Sequence, residues 1–98
     1  MEKYFVVVSQ SEARQFDGKS DGQSTTIKAV DVLLSDGINQ IIASAYDKKA
    51  QQLIDKPLKP GAFINADLTF STKEVKTEKS AWLSQQVRLN NYAVISES

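Results

Sequence analysis

The chain contains neither cysteine nor histidine. Without cysteine it can form no disulfide, no thiolate metal site and no thiol nucleophile. Without histidine it has no imidazole ligand and no Ser-His-Asp triad. The phosphate-binding pattern GxxxxGK is also absent, and the aspartates occur at no spacing typical of a cation site. We therefore expect a protein that is not an enzyme and that needs no cofactor or metal.

Charge of one sign is not in excess, because twelve basic residues balance twelve acidic ones. Zero net charge argues against strong nonspecific binding to a polyanion, but the distribution of charge matters more than the sum. Residues 73–88 carry four basic and two acidic side chains, whereas residues 17–36 carry two basic and four acidic ones. The later segment is therefore predicted to have a local positive field.

Long hydrophobic runs are missing as well. The N-terminal apolar run has only five residues and is followed by no small-residue cleavage site. We expect neither an export signal nor a membrane span, and hence a cytoplasmic location. A length of 98 residues predicts a single domain over residues 1–98.

Alternation of apolar and polar residues predicts strands at residues 4–8, 25–34, 38–46, 63–70 and 82–95. The fourth strand is predicted to turn Ile64, Ala66, Leu68 and Phe70 inward, and Phe5 and Tyr92 are further core candidates. A change of parity at Asn90 and Asn91 predicts a bulge or a sheet corner in the last strand.

Helical spacing replaces this alternation only at residues 48–54, with Asp47 as the predicted N-cap and Pro57 as the stop. Asp36 and Gly37 predict a tight hairpin turn. Two longer polar segments remain. Residues 17–24 are predicted to form a mobile loop, and residues 71–80 a hairpin tip or an extended binding loop.

One helix between the third and fourth strands of a small β protein is typical of the OB-fold. We therefore predict an all-β, five-stranded Greek-key barrel with one short α-helix in that position. In an OB-fold the face of strands two and three, flanked by two loops, binds oligonucleotides or oligosaccharides. The two long polar segments occupy the positions of those loops.

The segments IIASAYDKKAQQLIDKPLKPGAFINADLTF and QQVRLNNYAVI resemble the bacterial and phage single-stranded DNA-binding protein family. The resemblance covers residues 38–95, and the comparable positions are Tyr46, Lys48, Ala50, Gly61, Ile64, Ala66 and Leu68. It implies sequence-independent binding of single-stranded DNA in replication or recombination.

The chain departs from that family in three respects. Its second strand has no aromatic residue, Leu68 stands where the family usually has glycine, and no acidic tail follows the last strand. The resemblance therefore indicates a minimal or divergent member, from a phage or mobile element. Apolar residues on both faces of the second strand, with an exposed first strand, predict a homodimer or homotetramer, which would multiply weak contacts.

Single-stranded nucleic acid is held by a positive groove and by aromatic faces on which bases stack. The candidate DNA-binding residues are Arg14, Phe16, Lys19, Lys28, Tyr46, Lys73, Lys76, Lys79 and Trp82. Each aromatic candidate has a structural alternative, which for Trp82 is the barrel core and for Tyr46 is packing under the helix. The three late lysines alternate with Glu74 and Glu78, so an ordinary solvated surface is the alternative to phosphate contact. Arg88 is expected to form a salt bridge.

Two other functions are compatible with the pattern. The domain could be a protein-interaction module, such as a replication or mobile-element accessory factor that does not bind DNA. The zero net charge and the missing second-strand aromatics favour this alternative. An oligosaccharide-binding domain of a secreted protein is the third possibility, and the expected lack of an export signal argues against it.

Overall fold

The computed structural model describes residues 2–20 and 23–97, with side chains described for residues 2–15 and 26–97. Over these residues the chain forms six strands and one helix. They are β1 (Glu2–Gln10), β2 (Arg14–Ser20), β3 (Gln23–Ser35), β4 (Gln40–Tyr46), α1 (Lys48–Asp55), β5 (Phe63–Lys76) and β6 (Ala81–Ser96).

The strands form one closed sheet. They are hydrogen-bonded in the order β1-β5-β6-β4-β3-β2, and an additional β1–β3 pairing closes the barrel. The pairing of β4 with β6 is parallel and joins Ser44 to Arg88, while the other pairings are antiparallel. Strands β1, β3, β4, β5 and β6 are the five OB strands, with α1 between the third and the fourth. The predicted fold class is therefore confirmed.

Strand β2 is additional to the five OB strands. Its residues 17–20 belong to the segment that the sequence predicts to be a mobile loop. It pairs with β3 from Arg14 opposite Ala29 to Ser20 opposite Gln23. Polar residues are tolerated here because β2 is an edge strand, and ladder hydrogen bonds to β3 are available to any residue except proline. Residues 21 and 22, in the middle of the predicted loop, lie outside the described residues.

The core forms from the inward side chains of the alternating strands. Its largest fully buried members are Phe5, Val7, Val30, Val32, Leu34, Leu53, Ile64, Leu68 and Leu89. Phe5, Ile64, Ala66 and Leu68 are buried as predicted, and Tyr92 packs against the core while partly buried. Phe70 was predicted to face the core but is 38% exposed. It keeps the correct parity, but β5 has already left the barrel at that point.

The predicted bulge in the last strand is confirmed. Asp67 pairs with Asn91 while Leu68 pairs with Leu89, so Asn90 is the extra residue between two ladder positions. Its side-chain amide donates to Thr69 Oγ1 at 2.6 Å. A bulge bends and twists its strand, and this one lies where β5 and β6 leave the barrel.

Helix α1 packs on the barrel through Ala50 and Leu53, which are buried, and it ends before Pro57 as predicted. Asp47 occupies the N-cap position as predicted, and its carbonyl accepts the Gln51 N–H at 2.9 Å, but its side chain does not cap the helix. Its backbone has φ 53° and ψ −115°, and its side chain makes no capping hydrogen bond. An N-cap side chain reaches the first turn from an extended backbone, which Asp47 does not have. Its N–H instead donates to the Lys28 carbonyl at 3.0 Å.

The second polar segment is a hairpin tip. Strand β5 continues to Lys76, β6 begins at Ala81, and the two remain paired along this length. Only residues 77–80 form the turn, where the Thr77 N–H donates to the Ser80 carbonyl at 2.8 Å. We call residues 69–88 the arm. The arm extends beyond the buried core and leaves most of its side chains exposed on both faces.

Candidate nucleic-acid interface

The outward side chains of β3 and β4 form one continuous surface, which we call the outer face. Asp31 lies opposite Ser44, Leu33 opposite Ile42, and Ala29 opposite Tyr46. Because successive strand residues alternate between the two sides of a sheet, these side chains lie on the side opposite to Val30 and Val32, where Ala29 is nevertheless fully buried. Val30 and Val32, which lie between them, are fully buried.

A carboxylate lies at the centre of the outer face. Asp31 Oδ1 accepts hydrogen bonds from Ser44 Oγ at 2.6 Å and from Arg14 Nη2 at 2.8 Å. Both donors therefore converge on one oxygen of the carboxylate. Arg14, a predicted phosphate ligand, is drawn onto the outer face by this ion pair, and about half of its side chain remains exposed. Its positive charge is thus partly compensated before any ligand binds.

Tyr46 and Arg88 form the second feature of this surface. The Arg88 guanidinium lies 5.6 Å from the centroid of the Tyr46 ring, within the range of a cation–π interaction. The parallel pairing of Ser44 with Arg88 brings the two side chains together. The sequence instead suggested a salt bridge for Arg88. Together with Ile27 and Asp47, the pair lines a shallow depression of about 320 Å³.

The outer face continues onto one side of the arm. Register pairs Arg88 with Thr69, Gln86 with Ser71, Ser84 with Lys73, and Trp82 with Val75 on the same side of the hairpin. Directly opposite residues of an antiparallel pair share a face. Trp82 is therefore six residues from Arg88 on this side, a separation of roughly 20 Å at the rise of a strand.

The exposed fraction of the Trp82 side chain distinguishes a position in the barrel core from a position on the surface. Its side chain is 49% exposed, so it lies outside the barrel core. Lys73 is its near neighbour on the same face of the arm. Lys76 is on the opposite face, where its ammonium lies 3.7 Å from the Glu74 carboxylate. Lys79 is exposed in the turn.

The remaining predicted residues are placed differently. Lys28 was expected on the exposed face of the hairpin, but its ammonium donates to the Gln51 side chain of α1 at 2.9 Å and it is only partly exposed. Its parity in β3 is that of the buried Val30, so it faces the helix side. Phe16 and Lys19 belong to β2 by their backbone, and their side chains lie outside the described residues.

Arg88 is the residue that sequence reasoning left out of the candidate set. The sequence shows an outward arginine on the last strand, but it does not show that Tyr46 is its partner, because Tyr46 is far away in the chain.

Within the described residues no group of three or more acidic side chains lies close enough to hold a metal ion. Among the same residues, no helix has the length and apolar character needed to cross a membrane.

No family model and no curated protein matches the chain. Two solved structures resemble it. One is the second OB-fold domain of replication protein A from Methanococcus maripaludis, with a TM-score of 0.62 and 18% identity over 99% of this chain and 84% of that one. The other is a mitochondrial single-stranded DNA-binding protein of S. cerevisiae, with a TM-score of 0.58 and 7% identity over 100% of this chain and 95% of that one. At these identities the likeness establishes the OB-fold.

Proposed function

We propose that this chain binds single-stranded DNA during replication or recombination, in the cytoplasm and without catalysis. One observation carries the proposal. The outer face and the arm place two aromatic rings, Tyr46 and Trp82, on one surface with the cations Arg88 and Lys73. Rings and cations along one surface are the two components that single-stranded nucleic acid requires.

In the proposed mechanism, bases stack on Trp82 and Tyr46 while Arg88 and Lys73 neutralise phosphates. Each stacked base contributes about 1–3 kcal/mol, and stacking needs no particular sequence. Arg14 adds a partly compensated charge at the far side of the outer face. The other predicted ligands keep their proposed role, and these are Phe16, Lys19, Lys28, Lys76 and Lys79. Lys28 has the least support, because its ammonium bonds α1.

The names of the two similar structures are compatible with this proposal. One is a domain of a replication protein and the other a single-stranded DNA-binding protein. The OB-fold face between strands two and three is a common site for oligonucleotides, and here it is the surface that carries Tyr46.

We also propose that the protein acts as a homo-oligomer. Tyr4 and Val6 of β1 are exposed, and Tyr4 stacks on Phe63 of β5 with ring centroids 5.5 Å apart. Ile95 of β6, the extra residue between the ladder partners of Phe63 and Ile64, is also exposed. This apolar surface lies on strands other than those of the outer face, so a second copy could cover it while DNA stays bound. Zero net charge imposes no overall repulsion between copies. Sedimentation of the wild type and of Tyr4→Ser would test this, with an unchanged monomeric mass for both as the contrary result.

A protein-interaction module is the second candidate. The observation in its favour is the centre of the outer face, where a carboxylate and the 62%-exposed Ile42 lie close to one another. Exposed apolar groups rimmed by polar ones are typical of protein-binding surfaces.

Titration with a labelled, unstructured oligonucleotide of mixed sequence separates the two candidates. We expect saturable binding at low salt that weakens at moderate salt, because released counterions drive part of the affinity. Trp82 is the only tryptophan, so its emission reports on the arm, and quenching on binding would place bases there. Failure to bind even at low salt would overturn the DNA proposal in favour of the protein module.

A further inference from the structure

The outer face has a second depression, distinct from the one beside Tyr46. It measures about 330 Å³ and is lined by Ser9, Gln10, Ser11, Asp31, Leu33 and Ile42. Leu33 and Ile42 form an apolar base, since they lie opposite each other on β3 and β4. We call this depression the Asp31 pocket. Its volume falls at the lower end of the range of small-ligand sites.

Most of the polar groups that line this pocket already form hydrogen bonds within the protein. The Gln10 amide donates to the Leu53 carbonyl at 3.0 Å and its oxygen accepts the Leu58 N–H at 2.9 Å. Ser11 Oγ accepts the Asp31 N–H at 3.0 Å and donates to the Glu12 carbonyl at 3.0 Å. The Asp31 carboxylate is different, because Arg14 and Ser44 both bond Oδ1. Among the side chains that the structure describes, none bonds the second oxygen, Oδ2, which can therefore accept a donor from a ligand.

An acceptor at this position has a consequence for the bases that can bind. A carboxylate repels phosphate, so Asp31 does not help to hold the backbone. It does accept hydrogen bonds from the amino groups of bases, as aspartate and glutamate do with cytosine N4. The Watson–Crick edge of a single strand is open to such contacts. Thymine has no amino group, and its one Watson–Crick donor, N3–H, lies between the acceptors O2 and O4, which a carboxylate repels.

We infer that the Asp31 pocket binds an amino-bearing base against Leu33 and Ile42, with Asp31 as the residue that disfavours thymine. Ser44 and Arg14 act as positioning residues, since they fix the carboxylate through Oδ1 and leave Oδ2 for the base. This inference rests on the proposed function and deepens it. The arm and Tyr46 hold any single strand, while the pocket gives a preference in base composition.

The test compares oligo-dC with oligo-dT of equal length at neutral pH, because the two share ring size and differ in the amino group; the thymine C5 methyl adds apolar contact and so works against the expected preference. We expect the wild type to bind oligo-dC about three- to tenfold more tightly, the effect of one well-made hydrogen bond. In Asp31→Asn an amide N–H can take the place of Oδ2 and donate to thymine O4, so the ratio should fall to one or below.

Two control variants, a salt comparison and a check of folding keep this test interpretable. Ile42→Ala removes apolar surface without touching the carboxylate and should weaken binding to both oligonucleotides, whereas Ile38→Ala, 90% exposed in the β3–β4 turn, should leave both unchanged. The dC/dT ratio should also stay constant between low and moderate salt, because base contacts release no counterions. Circular dichroism establishes that each variant is folded.

The outcomes separate the inference from the function on which it rests. Binding of both oligonucleotides by the wild type with a ratio near one overturns the inference and leaves DNA binding intact. An unchanged preference in folded Asp31→Asn does the same. Binding to neither oligonucleotide overturns the proposed function, and the inference with it.

Discussion

The Arg88 guanidinium lies over the ring of Tyr46, 5.6 Å from its centroid. This contact joins β6, the last strand, to β4, the third of the five OB strands, at the point where the arm begins. It presents one aromatic face and one cation together, and a base that stacks at Tyr46 would find a phosphate ligand within reach.

Replacing Tyr46 should therefore weaken DNA binding. We expect Tyr46→Ala to cost about 1–3 kcal/mol of binding free energy through lost stacking, measured by anisotropy of a labelled oligonucleotide. Tyr46→Phe is the matched control, because it retains the ring and loses only the hydroxyl. Equal affinities for the two variants would contradict a stacking role for the ring.

The two faces of the arm give a second prediction. Lys73 shares a face with Trp82, whereas Lys76 lies on the opposite face beside Glu74. Each lysine that neutralises a phosphate contributes about 0.7 to the slope of log K against log salt for a single strand. Lys73→Ala should lower the slope by about that amount, and Lys76→Ala should change it less. If Lys76→Ala has the larger effect, the DNA path lies on the other side of the arm.

Asp36 in the β3–β4 turn should make stability depend on acidity. Its Oδ1 accepts the N–H groups of Asn39 at 2.7 Å and of Ile38 at 2.9 Å, and its Oδ2 accepts the Lys3 ammonium at 2.9 Å. The Asn39 hydrogen bond, then Lys3 and the Ile38 N–H, lower the pKa of Asp36 well below its ordinary value.

A carboxyl whose pKa is lower in the folded state stabilises that state above the pKa it has when unfolded, about 3.9. The stabilisation is lost as the pH falls below that value toward the folded pKa. We expect Asp36→Asn to be less stable than the wild type near pH 7, with the difference shrinking as the pH falls below about 4. Urea unfolding at several pH values measures this, and a difference that does not vary with pH would count against it.

Asp47 offers a stabilising substitution. Its φ of 53° and ψ of −115° correspond to the first central position of a type II′ turn, where glycine is preferred. Asp47→Gly should relieve strain and raise the free energy of unfolding by about 1 kcal/mol. Asp47→Val should lower it, since a β-branched residue tolerates positive φ poorly. Thermal or urea unfolding of both variants checks the sign, and a loss of stability in Asp47→Gly would show that the side chain matters more than the backbone.

Much of the fold could be predicted because it depends on neighbours in the chain. The alternation through Ile64, Ala66 and Leu68 marks one side of β5, and the change of parity at Asn90 marks the bulge. The same reasoning failed at Phe70, since alternation gives the side of a strand but not whether anything covers it. It placed Asp47 correctly at the N-cap but did not show that its side chain makes no capping hydrogen bond, because residue type does not fix the backbone dihedrals there.

The candidate site was predicted less completely than the fold. Tyr46, Trp82 and Lys73 were named from their residue types and their positions near predicted strand ends. The other contacts of the site depend on pairings between strands that are far apart in the chain. Asp31 receives Arg14 from β2 and Ser44 from β4, and no local pattern indicates that these three side chains meet.

The sequence by itself determined the order of the five OB strands and the helix, the bulge in β6 and the exclusion of cysteine and histidine chemistry. Each of these follows from residue types and short-range spacing. Only the tertiary structure decided that β4 lies beside β6, that the Arg88 guanidinium lies near the ring of Tyr46 and that Asp31 lies at the centre of the outer face. The reason is physical, because barrel closure pairs residues far apart in the chain through backbone hydrogen bonds, which every residue except proline can both donate and accept.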